Sequence, residues 1–132
     1  MANEKNIQIV QQIYSDFGKQ NVEGVLNSLT DDISWNDAGY PGIPYSKKRN
    51  GKKEVMSFFM ELGSTVSFTD FTPQEFYADN DAVIVKGFFE GKALGTGKSF
   101  ASDWMHIWKF QGDKIYNFQA FFDTDKIIAA IH

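Results

Sequence analysis

The chain contains no cysteine among its 132 residues, which removes disulfide staples and thiolate metal sites together. Histidine is nearly as scarce: His106 is the only internal one, and His132 is the last residue. A single imidazole with no second His and no Cys makes no ligand set, so no metal site is expected. Positive charge is short as well, with 13 Lys plus Arg against 17 Asp plus Glu. The resulting −4 argues against a nucleic-acid binder. Long apolar runs are missing too: the longest is Ile127-Ile128-Ala129-Ala130-Ile131, far short of the ~20 residues of a membrane span. Asn3, Glu4, Lys5, Asn6, Gln8, Gln11 and Gln12 leave no apolar stretch of the secretory-signal kind. The expectation is a cytoplasmic protein with no membrane partner.

Aromatic residues, by contrast, are plentiful: 13 Phe, 5 Tyr and 3 Trp make 16% of the chain. Its length suits one domain, residues 1–132, able to bury a core without staples. The rings must therefore fill that core, line a cavity or form an interface.

Periodicity places helices first. Ile9, Val10, Ile13, Tyr14 and Phe17 recur at helical spacing, with Asn3 as a cap and Gly18 as a stop. Asn21 caps a second, short helix striped by Val22, Val25, Leu26 and Leu29. A strand over Ile33–Asp37 puts Ile33, Trp35 and Asp37 on one face. Residues 38–51, with three Gly and two Pro, read as a loop, and a third helix follows over 51–62 with Val55, Phe58, Phe59 and Leu62 on its buried side. The second half reads as strands near Val66–Phe68, Gln74–Ala78, Ala82–Glu90, Lys98–Phe110 and Ile115–Phe122, and a short helix begins near Thr124. Helices followed by antiparallel strands indicate an α+β domain with helices on one face of a curved sheet.

The last hairpin can be given a register. Pairing Phe110 with Ile115 sets His106 opposite Gln119 and Trp108 opposite Asn117. One face then carries Phe100, Ser102, Trp104, His106, Trp108 and Phe110 opposite Ile115, Asn117, Gln119, Phe121 and Asp123. The other carries Met105, Ile107, Tyr116, Phe118 and Phe122, an apolar patch large enough to predict a homodimer.

Three stretches carry a resemblance: Thr30–Asp37, Gly51–Phe59 and Trp104–Ile115. The chain resembles the nuclear-transport-factor-2-like (NTF2-like) superfamily over nearly its whole length, and within it the ketosteroid-isomerase-like and SnoaL-like (polyketide-cyclase-like) proteins. The resemblance implies a cone: a strongly bent, mostly antiparallel mixed sheet around a pocket closed by about three helices. It also implies sheet-to-sheet dimers and a small apolar ligand. In ketosteroid isomerase an Asp is the general base, and a Tyr with a protonated Asp stabilises the oxyanion, a case the general chemistry of tuned carboxyl groups already covers. The resemblance puts the base at Asp37 and the oxyanion Asp position at His106. The oxyanion Tyr position falls on Ile13 by ungapped counting, with Tyr14 one residue away.

Asp37 and His106 are thus the candidate catalytic pair. A carboxylate against aromatic walls should have a raised pKa, which suits a base; a strand-end Asp capping the Gly39–Pro44 turn is the plainer alternative. For His106 the plainer alternative is a core imidazole satisfied by Gln119. Tyr14, Phe17, Trp35, Phe58, Trp104, Asn117, Gln119, Phe121 and Asp123 are the candidate ligand-binding residues. The functional expectation is a cofactor-free isomerase or cyclase acting on an apolar carbonyl compound, or else a non-catalytic ligand-binding or dimerisation module. Epoxide hydrolysis, which in this superfamily uses an Asp–Arg–Asp set, would have only Arg49 to draw on.

Overall fold

The first helical stripe buries Val10 and Ile13 almost completely and holds the amphipathic α1 (Ala2–Gly18) on the sheet. The computed structural model describes residues 2–39 and 41–132. Asn3 lies inside the first turn of α1 and does not precede it as a cap. Asn21 does cap α2 (Val22–Asn27), its side-chain oxygen accepting from the Gly24 N–H at 3.1 Å. That helix stops earlier than its stripe suggests, because Leu29 opens β1 (Leu29–Asp37) and is fully buried there.

The stretch read as a loop is partly ordered into β2 (Lys48–Asn50), which pairs antiparallel with β1 through Trp35 opposite Arg49. Before it, Ile43, Tyr45 and Ser46 turn inward and are buried, so this segment belongs to the core. Helix α3 (Lys52–Thr65) then buries Val55, Phe58 and Leu62. The two short strands expected over 66–78 are one long strand, β3 (Val66–Asp79), with irregular register near Thr69 and near Pro73–Gln74. Proline has no N–H to give a ladder, so its place at an irregularity is physically consistent, and such irregularities bend a strand.

Strands β4 (Ala82–Ala93), β5 (Ser99–Gln111) and β6 (Lys114–Phe122) follow, and α4 (Thr124–Ile131) closes the chain. One open six-stranded sheet results, in the order β2-β1-β6-β5-β4-β3. Among the described residues only the β1–β6 pair is parallel. The bent sheet and its helices make an α+β fold, as expected. No helix among the described residues is long and apolar enough to cross a membrane.

One register departs from expectation and decides which side chains face inward. Phe110 does pair with Ile115, but Lys109 pairs with Asn117, leaving Tyr116 as an extra residue in β6. This bulge shifts all later pairs: Trp108 faces Phe118, His106 faces Ala120 and Trp104 faces Phe122. Because side chains alternate with period two, a one-residue slip inverts every position beyond it. Phe118 and Ala120 are therefore buried, while Phe121 lies outside at 48% exposure. The expectation that Asn117, Gln119 and Phe121 share the inner face is corrected, as is the placing of Phe118 and Phe122 outside. The physical reason is apolar burial: the slip brings Phe118, Ala120 and Phe122 onto the inner face in place of Asn117, Gln119 and Phe121.

Candidate active site

Inside the cone lies a cavity of about 80 Å³ lined almost wholly by apolar and aromatic side chains. Eight elements supply them, with Tyr45 from the segment before β2. Helix α1 gives Ile13, Tyr14 and Phe17; α2 gives Val25; β1 gives Trp35 and Asp37; α3 gives Phe58, Phe59 and Leu62; β3 gives Phe68 and Phe71; β4 gives Phe89; β5 gives His106 and Trp108; β6 gives Phe118, Ala120 and Phe122. Asp37 and His106, which the sequence separates by most of the chain, thus line one cavity. Both Ile13 and Tyr14 reach it, but only Tyr14 brings a polar atom.

Tyr14 makes the central hydrogen bonds. The Trp108 indole N–H donates to its hydroxyl at 3.0 Å, and that hydroxyl lies 2.7 Å from His106 Nδ1. An indole nitrogen can only donate, so the Tyr14 oxygen accepts there and its one proton is free to go to His106. When Tyr14 gives that proton to Nδ1, a neutral ring carries its own hydrogen on Nε2. Burial agrees, since it pulls the His106 pKa from 6.5 down to about 3 and leaves the ring neutral at physiological pH. Burial also holds the Tyr14 hydroxyl protonated, well above its ordinary range. His106 Nε2 has no protein partner among the described residues, so it is a donor available to a ligand.

The ring itself is clamped. Trp104 stacks on His106 with centroids 4.1 Å apart, Tyr14 lies nearly parallel at 5.8 Å, and Phe118 meets it edge-on at 4.9 Å. Gly87 makes the Trp104 position possible. A Cβ there would stand 2.2 Å from Trp104 Cζ2, so any side chain at that point of β4 would push the indole away from His106.

Asp37 sits at the end of β1, where the buried Ser46 hydroxyl donates to its Oδ2 at 3.1 Å. Burial lifts its pKa from 3.8 to about 7; the Ser46 bond, the Ala38 N–H and the Arg49 charge only partly oppose this. Asp37 is therefore poised to lose or take up a proton near neutrality. Tyr45, beside it on the cavity wall, stays protonated because of its own burial and the Asp37 charge.

Other candidates fall elsewhere. Trp104 supports His106 from behind and is not part of the cavity wall. Asn117, Gln119 and Phe121 lie on the outer face, for the register reason given above. Asp123 stands exposed at the N-cap of α4, makes no side-chain cap bond and does not line the cavity. Arg49 is buried on β2, with its Nη2 donating to Glu61 at 3.0 Å and to the Tyr45 carbonyl, so its guanidinium is committed to tying α3 to the 38–48 segment. Among the described residues no three His, Asp or Glu side chains are grouped as a metal would need. Sequence reasoning missed Ser46 and Tyr45, which lay in an apparent loop. It also missed Phe71 and Phe89, whose long strands bend toward the cavity only in three dimensions.

Comparison with known proteins agrees with this architecture. An NTF2-like protein from Burkholderia pseudomallei superposes with a TM-score of 0.89 at 26% identity, covering 96% of this chain and 97% of that one. TerC, co-crystallised with polyporic acid, superposes at 0.87 with 23% identity, over 96% of this chain and 98% of its own. A protein of ketosteroid-isomerase-like fold from Catenulispora acidiphila, in complex with trimethylamine, gives 0.79 at 14% identity, covering 93% and 91%. No curated protein matches the sequence. The SnoaL-like domain model matches residues 10–118, a span that runs from α1 to β6 and includes Tyr14, Asp37 and His106. The chain therefore belongs to the SnoaL-like domain family of the NTF2-like superfamily.

Proposed function

We propose that the cavity binds a small apolar carbonyl compound and that the protein acts on it without a cofactor, as an isomerase or cyclase. The observation that carries this reading is that Asp37 and His106 line one aromatic-walled cavity, with His106 Nδ1 2.7 Å from the Tyr14 hydroxyl. Ionised Asp37 takes a proton from the carbon alpha to the carbonyl, and the electron pair of that C–H bond moves onto the oxygen. His106 Nε2–H donates to the developing oxyanion, a bond strengthened by the low polarity around it. Where a β,γ double bond of the ligand is conjugated with the enolate, Asp37 returns the proton to the gamma carbon, and the double bond moves into conjugation with the carbonyl, giving an isomer. In a cyclase the enolate carbon instead attacks a second carbonyl of the same ligand, and Asp37 protonates the new alkoxide. The co-crystallisation of TerC with polyporic acid supports small-molecule binding by this fold.

The test is proton–deuterium exchange at the alpha carbon of a panel of ketones, followed by NMR. Asp37→Asn should slow exchange by about a hundredfold or more; equal rates would remove Asp37 as the base. Binding without exchange by the wild type would favour the second reading, a non-catalytic ligand-binding or dimerisation module.

That second reading has its own support on the outer sheet face. The register sets Tyr77, Ile84 and Ile107 side by side across β3, β4 and β5, and Met105 beside Phe121. Tyr77 is 56% exposed and Met105 42%, an apolar surface of the kind that mediates association. The proposed homodimer uses this face, with Phe121 in the place expected of Phe118 and Phe122.

A further inference from the structure

A free volume of about 80 Å³ is small beside the roughly 300–1,000 Å³ of typical ligand pockets. Next to it, however, lies a cleft of about 770 Å³ between the C-terminal ends of α1 and α3 and the first half of β3. The two spaces share Tyr14, Phe17, Phe59, Leu62, Phe68 and Phe71 as walls, so they adjoin across a neck of rings. Phe17 stands 5.1 Å from Phe71 and 6.0 Å from Phe59, centroid to centroid, in tilted and edge-on packing.

The charge along these two spaces is one-sided. Among the described residues lining either, none is Lys or Arg, and the ionisable acids are Asp37 in the cavity and Asp70 in the cleft. The remaining polar side chains of the cleft are uncharged: Tyr14, Gln20, Ser67 and Thr69. His106 adds no positive charge, because burial keeps it neutral.

We propose that the cleft is a second subsite, and that the natural ligand is an extended molecule whose reacting ring enters the cavity while a neutral or cationic tail lies in the cleft. This rests on the reading of the cavity as a carbonyl-binding site. A carboxylate or phosphate tail finds no cation in the cleft and meets Asp70.

The experiment measures binding through quenching of the tryptophan fluorescence, since Trp35 and Trp108 line the cavity. The probes are acetophenone and three acetophenones bearing a para six-carbon ether chain that ends in a hydroxyl, an ammonium or a carboxylate. Covering about two methylenes of the chain should tighten the hydroxyl probe at least tenfold over acetophenone. The carboxylate probe should bind about fourfold more weakly than the hydroxyl one, as expected for like charges about 5 Å apart in a watery cleft, and Asp70→Asn should narrow that gap.

Gly63→Phe supplies the blocking variant. Gly63 lines the cleft and not the cavity, and a Cβ there meets nothing within 4 Å. It should abolish the advantage of the chain and leave acetophenone binding unchanged. Acetophenone binding with no gain from any chain, or a carboxylate probe that binds tightest, would overturn the subsite and spare the cavity. Failure of all four probes to bind would overturn both.

Discussion

Replacing Asp37 by Asn should stabilise the protein at neutral pH, with a gain that fades in acid. Burial raises the carboxyl pKa from 3.8 to about 7. Between those values the unfolded chain has released a proton that the folded one keeps, so the unfolded state binds fewer protons and stability falls as pH rises. A difference of about three decades in acidity corresponds to about 4 kcal/mol, fully felt above about pH 7 and absent below about pH 4. His106 has the opposite sign. Its pKa falls from 6.5 to about 3, so on acidification the unfolded chain takes up a proton that the fold refuses, and stability is lost as pH drops. Each group contributes a slope of at most about 1.4 kcal/mol per pH unit, and between about pH 4 and 6.5 the two nearly cancel in the wild type.

Asn removes one slope and keeps an oxygen to accept from Ser46, whose hydroxyl donates to Asp37 Oδ2. Urea unfolding followed by circular dichroism, at fixed protein concentration from about pH 4 to 8, isolates the effect as the difference between the two profiles, because the other carboxylates are common to both. The variant should gain about 4 kcal/mol on the wild type across that range. Parallel profiles, differing by a constant, would show that Asp37 titrates normally and would refute both its desolvation and its suitability as a base.

Tyr14→Phe removes the proton that fixes His106 Nδ1 as an acceptor and strands the Trp108 N–H, at a cost of about 1–3 kcal/mol. Nitrogen NMR of the imidazole should report an Nε2–H tautomer in the wild type and a mixture in the variant; a wild-type Nδ1–H tautomer would contradict the hydrogen-bond assignment. On the outer face, Met105→Glu with Phe121→Lys should convert a dimer to monomers by sedimentation, and a wild-type monomer would refute the interface.

Several features were legible from local chemistry. Alternation along Ile33–Asp37 correctly puts Trp35 and Asp37 on one face, because strand pleating allows no other outcome within five residues. The same logic puts Trp104, His106 and Trp108 on the inner side of β5, and all three are buried. The helical stripes of α1 and α3 are equally local, since a 3.6-residue period shows in any amphipathic helix. What failed was a relation between segments. The bulge at Tyr116 carries no Gly or Pro to mark it, yet a signal existed: an unbulged hairpin would bury Asn117 and Gln119 while exposing Phe118 and Phe122.

The sequence by itself determined an α+β chain rich in rings, without metal-ligating cysteines, and with one carboxylate and one imidazole on strand faces turned toward the same core. Tertiary structure alone decided the rest. It chose Tyr14 over Ile13 as the polar member of the α1 wall, drew Ser46 from an apparent loop onto Asp37, and put Phe118 in the cavity and Phe121 outside. The reason is that periodicity fixes how side chains alternate within one element. Register, bulges and loop folding fix what they meet, and these depend on contacts between segments far apart in the chain.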